Sequence, residues 1–544
     1  MPNTGLLMLN NLFLTLATMS FRAVASGPYQ RFQQALKDPE AAQKKVLRTL
    51  LADLAKTHYG QEYGITGQED YSAFASKLPL QDYETMEPWI QKQLETTQPI
   101  ITPHRIIHSE PTSGSSGPVK RIPYTRPHLA SFSNMFAIWV YDLLAHGFQP
   151  KTGRIFMSIS PPTGKMRFID EGFEDERSYL NEPMRSLVSN FLVLPPKGMN
   201  GSNFQDNLAF TLLNEKHLEV ISIWSPSYLL VLLDYIRKNR QRLANSLPKA
   251  RRKILLSSQE IEWETLWPDL QLISCWNHAL AAPLAHQIRA LFPNVHVQGK
   301  GLLATEAAVT LPLTRGSGCF PLLTDVFLEF ETENGTLKQL HELSDGEQAQ
   351  VVITQRAGLS RYRLHDLVTV VRENDQNTPS LVFVGRTHQV SDLVGEKLHE
   401  QFVSQSLLPI LPSGGFFLVP YQEASHRGYV LLSDTNIEGL AEMADRILCQ
   451  AHHYQLARNL GQLAPLRVCF LPDLLSKRQT FYRSEGLKLG NIKDATLVCD
   501  PAQGKRLLDF LRIDMPSLLD LEEAVKNSQL HPIHPPPFPL QAGA

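Results

Sequence analysis

A surplus of basic residues, a paired-cysteine motif and a long apolar run are all missing from this 544-residue chain. Lys and Arg number 52 against 54 Asp and Glu, for a net charge of −2, so there is no basic footprint for binding nucleic acid along its length. The five cysteines (Cys275, Cys319, Cys449, Cys469 and Cys499) are scattered, odd in number and without a C-x-x-C pair. That argues against a disulfide framework and against structural zinc, and it points to a reducing, cytoplasmic setting. Each cysteine reads as a small buried apolar residue. The apolar stretch LLMLNNLFLTLATM (6–19) is interrupted by Asn10-Asn11. It falls short of the ~20 apolar residues that span a bilayer, so no stable membrane insertion is expected. No basic residue precedes it, as one would in a secretory signal, so it reads as an amphipathic first helix packed on the body. A processed or membrane-touching segment is the alternative. Two motifs are missing as well: the G-x-x-x-x-G-K-[ST] phosphate loop and the G-x-S-x-G hydrolase elbow.

What is present suits a large folded protein. Hydrophobic residues make up 43% of the chain, enough for two or more domains. Residues 28–60 carry Val46, Leu47, Leu50, Leu51 and Leu54 at helical spacing. Between about 150 and 306, strand-like runs such as HLEVIS and DLQLIS alternate with helical ones, which predicts a mainly parallel α/β sheet. After Pro312 the chain becomes rich in strands. We expect an α/β fold with a large domain over 1–387, whose first ~27 residues are an extra apolar helix, and a smaller α+β domain over 388–530. The Pro-rich end, 531–544, is expected to be disordered.

Three segments carry chemistry. HSEPTSGSSGPVKRIPYT (108–125) places Ser113, Gly114, Ser115, Ser116 and Gly117 between two strand-like runs, with Lys120 and Arg121 at the exit. Successive backbone N–H groups in such a turn can wrap an anion, and a flexible linker is the rival reading. GKGLLATE (299–306) follows a strand and ends in Glu306. A carboxylate there can hold a magnesium ion against phosphates, or simply favour a helix start. As a dinucleotide fingerprint GKGLLA is weak, because no ribose-binding acid follows at the right distance. Third, GLSRYRLHDLVTVV (358–371) and FVGRT (383–387) supply Asp366 and Arg386. These can accept the hydroxyls of a ribose and donate to the sugar or its phosphate, unless Asp366 with Arg363 is an ordinary surface pair.

In this order the segments resemble those of adenylate-forming enzymes. The stretches TSGSSGPVKRIPYT, LLATE, SRYRLHDLV and FVGRTHQVSDLVGEKLHE are most similar to the acyl acid amido synthetases that conjugate jasmonate and auxin in plants, with the similarity covering about residues 30–500. The resemblance implies a large domain and a small mobile one, and a two-step reaction with ATP and Mg²⁺. A carboxylic acid is adenylated, then passed to an amine such as an amino acid. Carried over by position, Ser113, Gly114, Ser115, Ser116, Gly117 and Lys120 hold ATP phosphates, Thr305 lies beside the nucleotide, Glu306 is the magnesium-site acid, and Asp366 with Arg386 binds ribose. A lysine from the small domain supports adenylation, with Lys493 the better match and Lys488 the alternative. Trp224, in SIWSPSYL, lies where the family lines its acyl pocket, although a core tryptophan is the plainer reading. The chain departs from the family at His365, where a glycine is usual, and at Leu302, where an aromatic is usual. Transfer to a thiol such as coenzyme A, and an inactive nucleotide- or acyl-binding relative, are the alternative functions.

Overall fold

The computed structural model describes residues 4–111, 120–157, 159–160, 174–175, 191–194, 204–316, 318–372, 377–387, 389–413, 415–423, 426–487, 492 and 494–513. Helix α1 (Thr4–Lys37) runs from the apolar N-terminal stretch straight into the amphipathic region. The long helix expected over 28–60 breaks at Asp38. Its side chain accepts from the Ala41 amide at 3.0 Å and Pro39 takes the first position of α2 (Pro39–Leu54), because the residue before a proline is driven out of helical geometry. On α2 the faces with Leu47, Leu50, Leu51 and Leu54 are buried, as the spacing predicts. After α3 (Tyr83–Glu95) the chain forms a hairpin of β1 (Ile106–Pro111) and β2 (Arg121–Thr125), paired from Ile106↔Thr125 to Pro111↔Arg121. The Ser/Gly stretch therefore joins the two strands of one hairpin. Its residues Ser113, Gly114, Ser115, Ser116 and Gly117 lie outside the described residues.

Helix α4 (Arg126–Ala145) follows, with Thr125 capping it through an acceptor bond from the His128 amide and a proline early in its first turn. Then come β3 (Arg154–Met157), β4 (Leu218–Ser222), α5 (Pro226–Lys238), β5 (Leu272–Ser274), α6 (Ala282–Leu291) and β6 (His296–Gln298). The four strands form a parallel sheet in the order β3-β4-β5-β6. Their continuous apolar character reflects burial on both faces, since β4 and β5 are buried throughout.

Seven further strands form a second, antiparallel sheet: β7 (Thr310–Pro312), β8 (Cys319–Pro321), β9 (Phe327–Thr332), β10 (Leu337–Gln339), β11 (Gln348–Thr354), β12 (Tyr362–Val371) and β13 (Ser380–Arg386). Their order is β10-β9-β11-β12-β13-β8-β7. The chain continues with α7 (Glu400–Leu407), a β14 (Phe416–Glu423) and β15 (His426–Ser433) hairpin, β16 (Arg467–Phe470) lying parallel to β15, then α8 (Leu474–Ser484) and α9 (Pro501–Phe510). One face of the β14–β15 hairpin has a core of its own with Leu407, Leu440 and Tyr454. From the other face Phe417, Val419, Val430 and Leu432 join the core beneath the parallel sheet. No helix among the described residues is long and apolar enough to cross a membrane.

Candidate functional site

The site lies beyond the carboxyl ends of the parallel strands, where open α/β sheets characteristically bind ligands. Ser222, Ser274 and Gln298 end β4, β5 and β6 in one register row. Two residues past each of them stand Trp224, Trp276 and Lys300. The backbone keeps this second row aligned, with the Trp276 amide donating to the Trp224 carbonyl at 2.8 Å and the Cys275 amide to the Gln298 carbonyl at 3.1 Å. The Lys300 ammonium donates to Ser222 Oγ at 2.7 Å and sits 4.5 Å above the Trp224 ring. Trp224 is accordingly a core residue beneath that cation, only 8% exposed.

After Lys300 the chain turns back on itself. The Ala304 amide donates to the Ala307 carbonyl at 3.0 Å, and Leu303 pairs with Ala308, so Thr305 and Glu306 occupy the tip of a tight turn. The β1–β2 hairpin anchors this turn: Tyr124 Oη, on β2, donates to the Thr305 carbonyl at 2.7 Å. His128, at the start of α4, packs edge-on against the Tyr124 ring with centroids 4.7 Å apart. Burial pushes its imidazole down to about 3, although a hydrogen bond with the Thr305 backbone acts the other way. A neutral histidine and a tyrosine thus fix the position of the turn relative to β2 and α4. Neither residue was singled out from sequence, and the only signal was their place in the strand and helix leaving that loop. Glu306 is partly exposed, and its charge helps burial to raise the Tyr362 hydroxyl above its ordinary range.

The second sheet supplies the opposite wall. Asp366 is 2% exposed on β12, directly across from Arg386 on β13, and Arg386 Nε donates to Asp366 Oδ1 at 3.0 Å. Next to it His365 holds φ +61°, the left-handed region that favours glycine, and its Nε2 lies 2.8 Å from Asp82 Oδ1. A glycine would hold this backbone conformation without strain. Arg363 is engaged elsewhere, donating to Glu331 at 2.8 Å and to Asp82 at 3.2 Å, so it is not a pair for Asp366. Lys120 leaves the hairpin 3.7 Å from Glu84 and 5.2 Å above the Tyr83 ring.

These walls enclose a cavity of about 120 Å³. Trp276, Asn277 and His278 line one side, Lys300 to Leu303 the floor, and Asp366, Phe383 and Arg386 the other side. Asp494 and Ala495 close it from the C-terminal part of the chain. Asp494 is fixed there by a buried network: Arg478 Nη2 donates to its Oδ1 at 2.6 Å and Ser225 Oγ to its Oδ2 at 2.6 Å, while Glu400 accepts from the Thr496 amide at 2.9 Å. Lys488 and Lys493 lie outside the described residues, but Ile492 and Asp494, which flank Lys493, do not. The structure thus brings Asp366 and Arg386 together at the cavity, whereas Thr305 and Glu306 follow its floor residues Lys300 to Leu303 without lining it, and Lys120 lies on the hairpin that anchors their turn.

This two-sheet α/β body has the fold of adenylate-forming ligases. The chain belongs to the GH3 family: the model of the GH3 family N-terminal domain matches residues 28–258 and that of the GH3 family central domain residues 321–386, together more than half of its length. Among its relatives is a jasmonoyl–L-amino acid synthetase, GH3.5, of Oryza sativa subsp. japonica, 23% identical over 449 residues, covering 68% of this chain and 74% of that one. Another is the indole-3-acetic acid-amido synthetase GH3.2 of Arabidopsis thaliana, 20% identical over 431 residues, with 68% and 78% covered. The fold is similar to that of the AtGH3.15 acyl acid amido synthetase in complex with 2,4-DB, at a TM-score of 0.71 with 16% identity, covering 89% of this chain and 95% of that one. It is also similar to a 2-hydroxyisobutyryl-CoA ligase in the postadenylation state, at a TM-score of 0.56 and 12% identity, with 89% and 94% covered.

Proposed function

We propose that this protein is an ATP-dependent ligase that adenylates a carboxylic acid and passes the acyl group to an amine, an amino acid in the first instance. The observation that carries this reading is the meeting at one cavity, beyond the carboxyl ends of the parallel strands, of the Asp366–Arg386 pair and of Asp494, next to Lys493. In the first step a carboxylate oxygen bonds to the α-phosphorus of ATP and the bond to pyrophosphate breaks. In the second the amine nitrogen bonds to the acyl carbon, gives up a proton, and AMP leaves. Since ATP supplies the leaving group, the protein's work is positioning and charge stabilisation. Asp366 accepts the ribose hydroxyls and Arg386, held by it, donates to the nucleotide. The amides and hydroxyls of Ser113, Gly114, Ser115, Ser116 and Gly117 wrap the phosphates, with Lys120 adding charge.

Magnesium fits the donor set. Among the described residues there is no cluster of three or more metal-ligating side chains, but a single carboxylate with phosphate oxygens and water suits a hard cation that keeps part of its hydration shell. Glu306 is the residue that would hold it, and the ion would neutralise the phosphates. Lys493, between Ile492 and Asp494, supports the charge that develops during adenylation, with Lys488 as its substitute. We place the domain boundary near residue 388, and the five free cysteines accord with a cytoplasmic protein. The fold likeness to a CoA ligase supports the second reading, a thiol acceptor.

The test is pyrophosphate release from the purified chain with magnesium-ATP and pooled carboxylic acids, with hydroxylamine present to trap adenylates. Release that needs an acid and vanishes in Glu306→Ala supports adenylation. ATP binding without release from any pool would leave a nucleotide-binding protein instead.

A further inference from the structure

The C-terminal wall of the cavity begins a short run of chain, residues 494–498, that is held along its whole length. Asp494 accepts from Arg478 and Ser225, and the same guanidinium donates through Nη1 to the Ala495 carbonyl at 3.2 Å. Glu400 takes the Thr496 amide. The Leu418 amide then donates to the Thr496 carbonyl at 2.7 Å, and the Val498 amide to the Leu418 carbonyl at 2.9 Å. Leu497 thereby pairs in parallel with Leu418, along the edge of β14.

These anchors come from two distant parts of the chain. Arg478 belongs to α8, Glu400 to α7 and Leu418 to β14. Ser225 belongs to the end of the parallel sheet, where it caps α5 by accepting from the Ser227 amide at 3.1 Å. It stands one residue beyond Trp224, which lies beneath the Lys300 ammonium. Ser225, Arg478 and Asp494 are 1%, 3% and 8% exposed. A buried ion pair is weak evidence of stability, since well-packed apolar residues often serve as well or better. What the pair adds is direction, because charge-assisted hydrogen bonds are geometrically demanding.

We propose that Asp494 is a positioning residue for adenylation: through Ser225 and Arg478 it clamps the run 494–498 to the strand ends, and so sets where Lys493, the residue before it, enters the site. This rests on the role given to Lys493 above. On the other side of Lys493, Ile492 is 2% exposed and belongs to the core that includes the parallel sheet. The chain is therefore held on both sides of position 493, and neighbouring Cα atoms are only about 3.8 Å apart. The clamp adjoins Lys493 and not Lys488. Placement matters to a group that stabilises charge, since a shift of about 1 Å can cost on the order of 100-fold in rate.

The probe is an acyl phosphate of ATP, a mixed anhydride at the γ-phosphate, applied to the full-length protein. A lysine amine lying against the phosphates bonds to its acyl carbon and gives up a proton, the bond to the phosphate oxygen breaks, and ATP leaves. Peptide mass spectrometry then compares the label on Lys493 with that on Lys120, on the β1–β2 hairpin. Both are expected to be labelled in the wild type. Asp494→Asn and Ser225→Ala should each lower the label on Lys493 by about tenfold while Lys120 is labelled as before. The serine variant removes one hydroxyl from the other partner, so the test survives a misfolded Asp494→Asn. Label on Lys493 that both variants leave unchanged, or that falls only in step with Lys120, overturns the positioning role and leaves that of Lys493 standing. Label on Lys488 in place of Lys493 overturns the choice of lysine and the proposal with it. No label on any of the three overturns the nucleotide reading itself.

Discussion

Two arginine–carboxylate pairs lie in the second sheet, and they differ in how fully each carboxylate is used. Arg361 and Glu329 are 2% and 0% exposed, and every polar edge is used. Arg361 Nε and Nη2 donate to Glu329 at 3.1 and 2.8 Å, its Nη1 donates to the Ala75 carbonyl at 2.8 Å, and Tyr71 Oη adds a bond to Glu329 at 3.1 Å. Five residues further along, Asp366 is as deeply buried, yet among the described residues its side chain has the single bond from Arg386, whose own side chain is 29% exposed to the cavity. A buried carboxylate with few protein donors carries a desolvation penalty that further donors reduce. The saturated pair staples the layers together, while the other keeps acceptor capacity for the ribose proposed above.

Removing the saturated pair should do the most damage. Glu329→Ala strands the Arg361 guanidinium in the core and is expected to destabilise the protein by about 3–5 kcal/mol, as breaking buried pairs does. Chemical denaturation reads this directly, and a loss below about 1 kcal/mol would mean that Arg361 finds other acceptors. The contrasting change, Asp366→Ala, should leave the denaturation midpoint nearly unmoved. It removes charge-assisted hydrogen bonds worth about 1.5–3 kcal/mol each, so ATP affinity should fall by about 10- to 150-fold in equilibrium binding. If both variants lost stability and kept ATP affinity, the distinction between the pairs would collapse.

The contrast also shows what sequence can reveal. R-Y-R-L-H-D presents Arg361, Arg363 and Asp366 within six positions, and nothing in the string says which arginine is structural. Asp366 stood out because the motif as a whole resembles a family. The alternation of helical and strand periods revealed the α/β architecture, but the helical spacing over 28–60 predicts one helix and misses the break at Asp38-Pro39. The partners contributed from a distance were not legible: Glu329 for Arg361, Asp82 for His365, and Thr305 for Tyr124 and His128 are joined by tertiary packing alone. Lys300 was hidden inside a weak glycine fingerprint, GKG. Its role emerges only from the register that sets it beside Ser222.

A third prediction concerns the other half of the site, where neutrality and not pairing is what burial enforces. With its folded value near 3 and its unfolded value near 6.5, His128 binds a proton only in the unfolded chain between those limits. Stability should therefore fall as pH drops below about 6.5, by up to about 1.4 kcal/mol per pH unit from this group, and be fully present above it. Melting temperatures followed from pH 7 to 5 should drop more steeply in the wild type than in His128→Phe. Parallel profiles would show that His128 is protonated in the fold after all.

The smallest effect is expected at His365, which sits between the two pairs in sequence and in kind. At φ +61° a side chain costs roughly 1 kcal/mol that a glycine avoids. Against this stands the 2.8 Å contact of its Nε2 with Asp82, a carboxylate that is one-third exposed and also serves Arg363. A partly solvated pair of this type contributes about 0–1 kcal/mol, so the two terms nearly cancel. His365→Gly should thus change stability by less than about 1 kcal/mol, and by stabilising if it moves at all. ATP affinity should stay within about threefold, because Asp366 keeps Arg386 across the strand pair whatever precedes it. A tenfold loss of affinity with stability unchanged would instead assign the imidazole to the nucleotide, making this departure from the family's glycine a specificity device and not a tolerated strain.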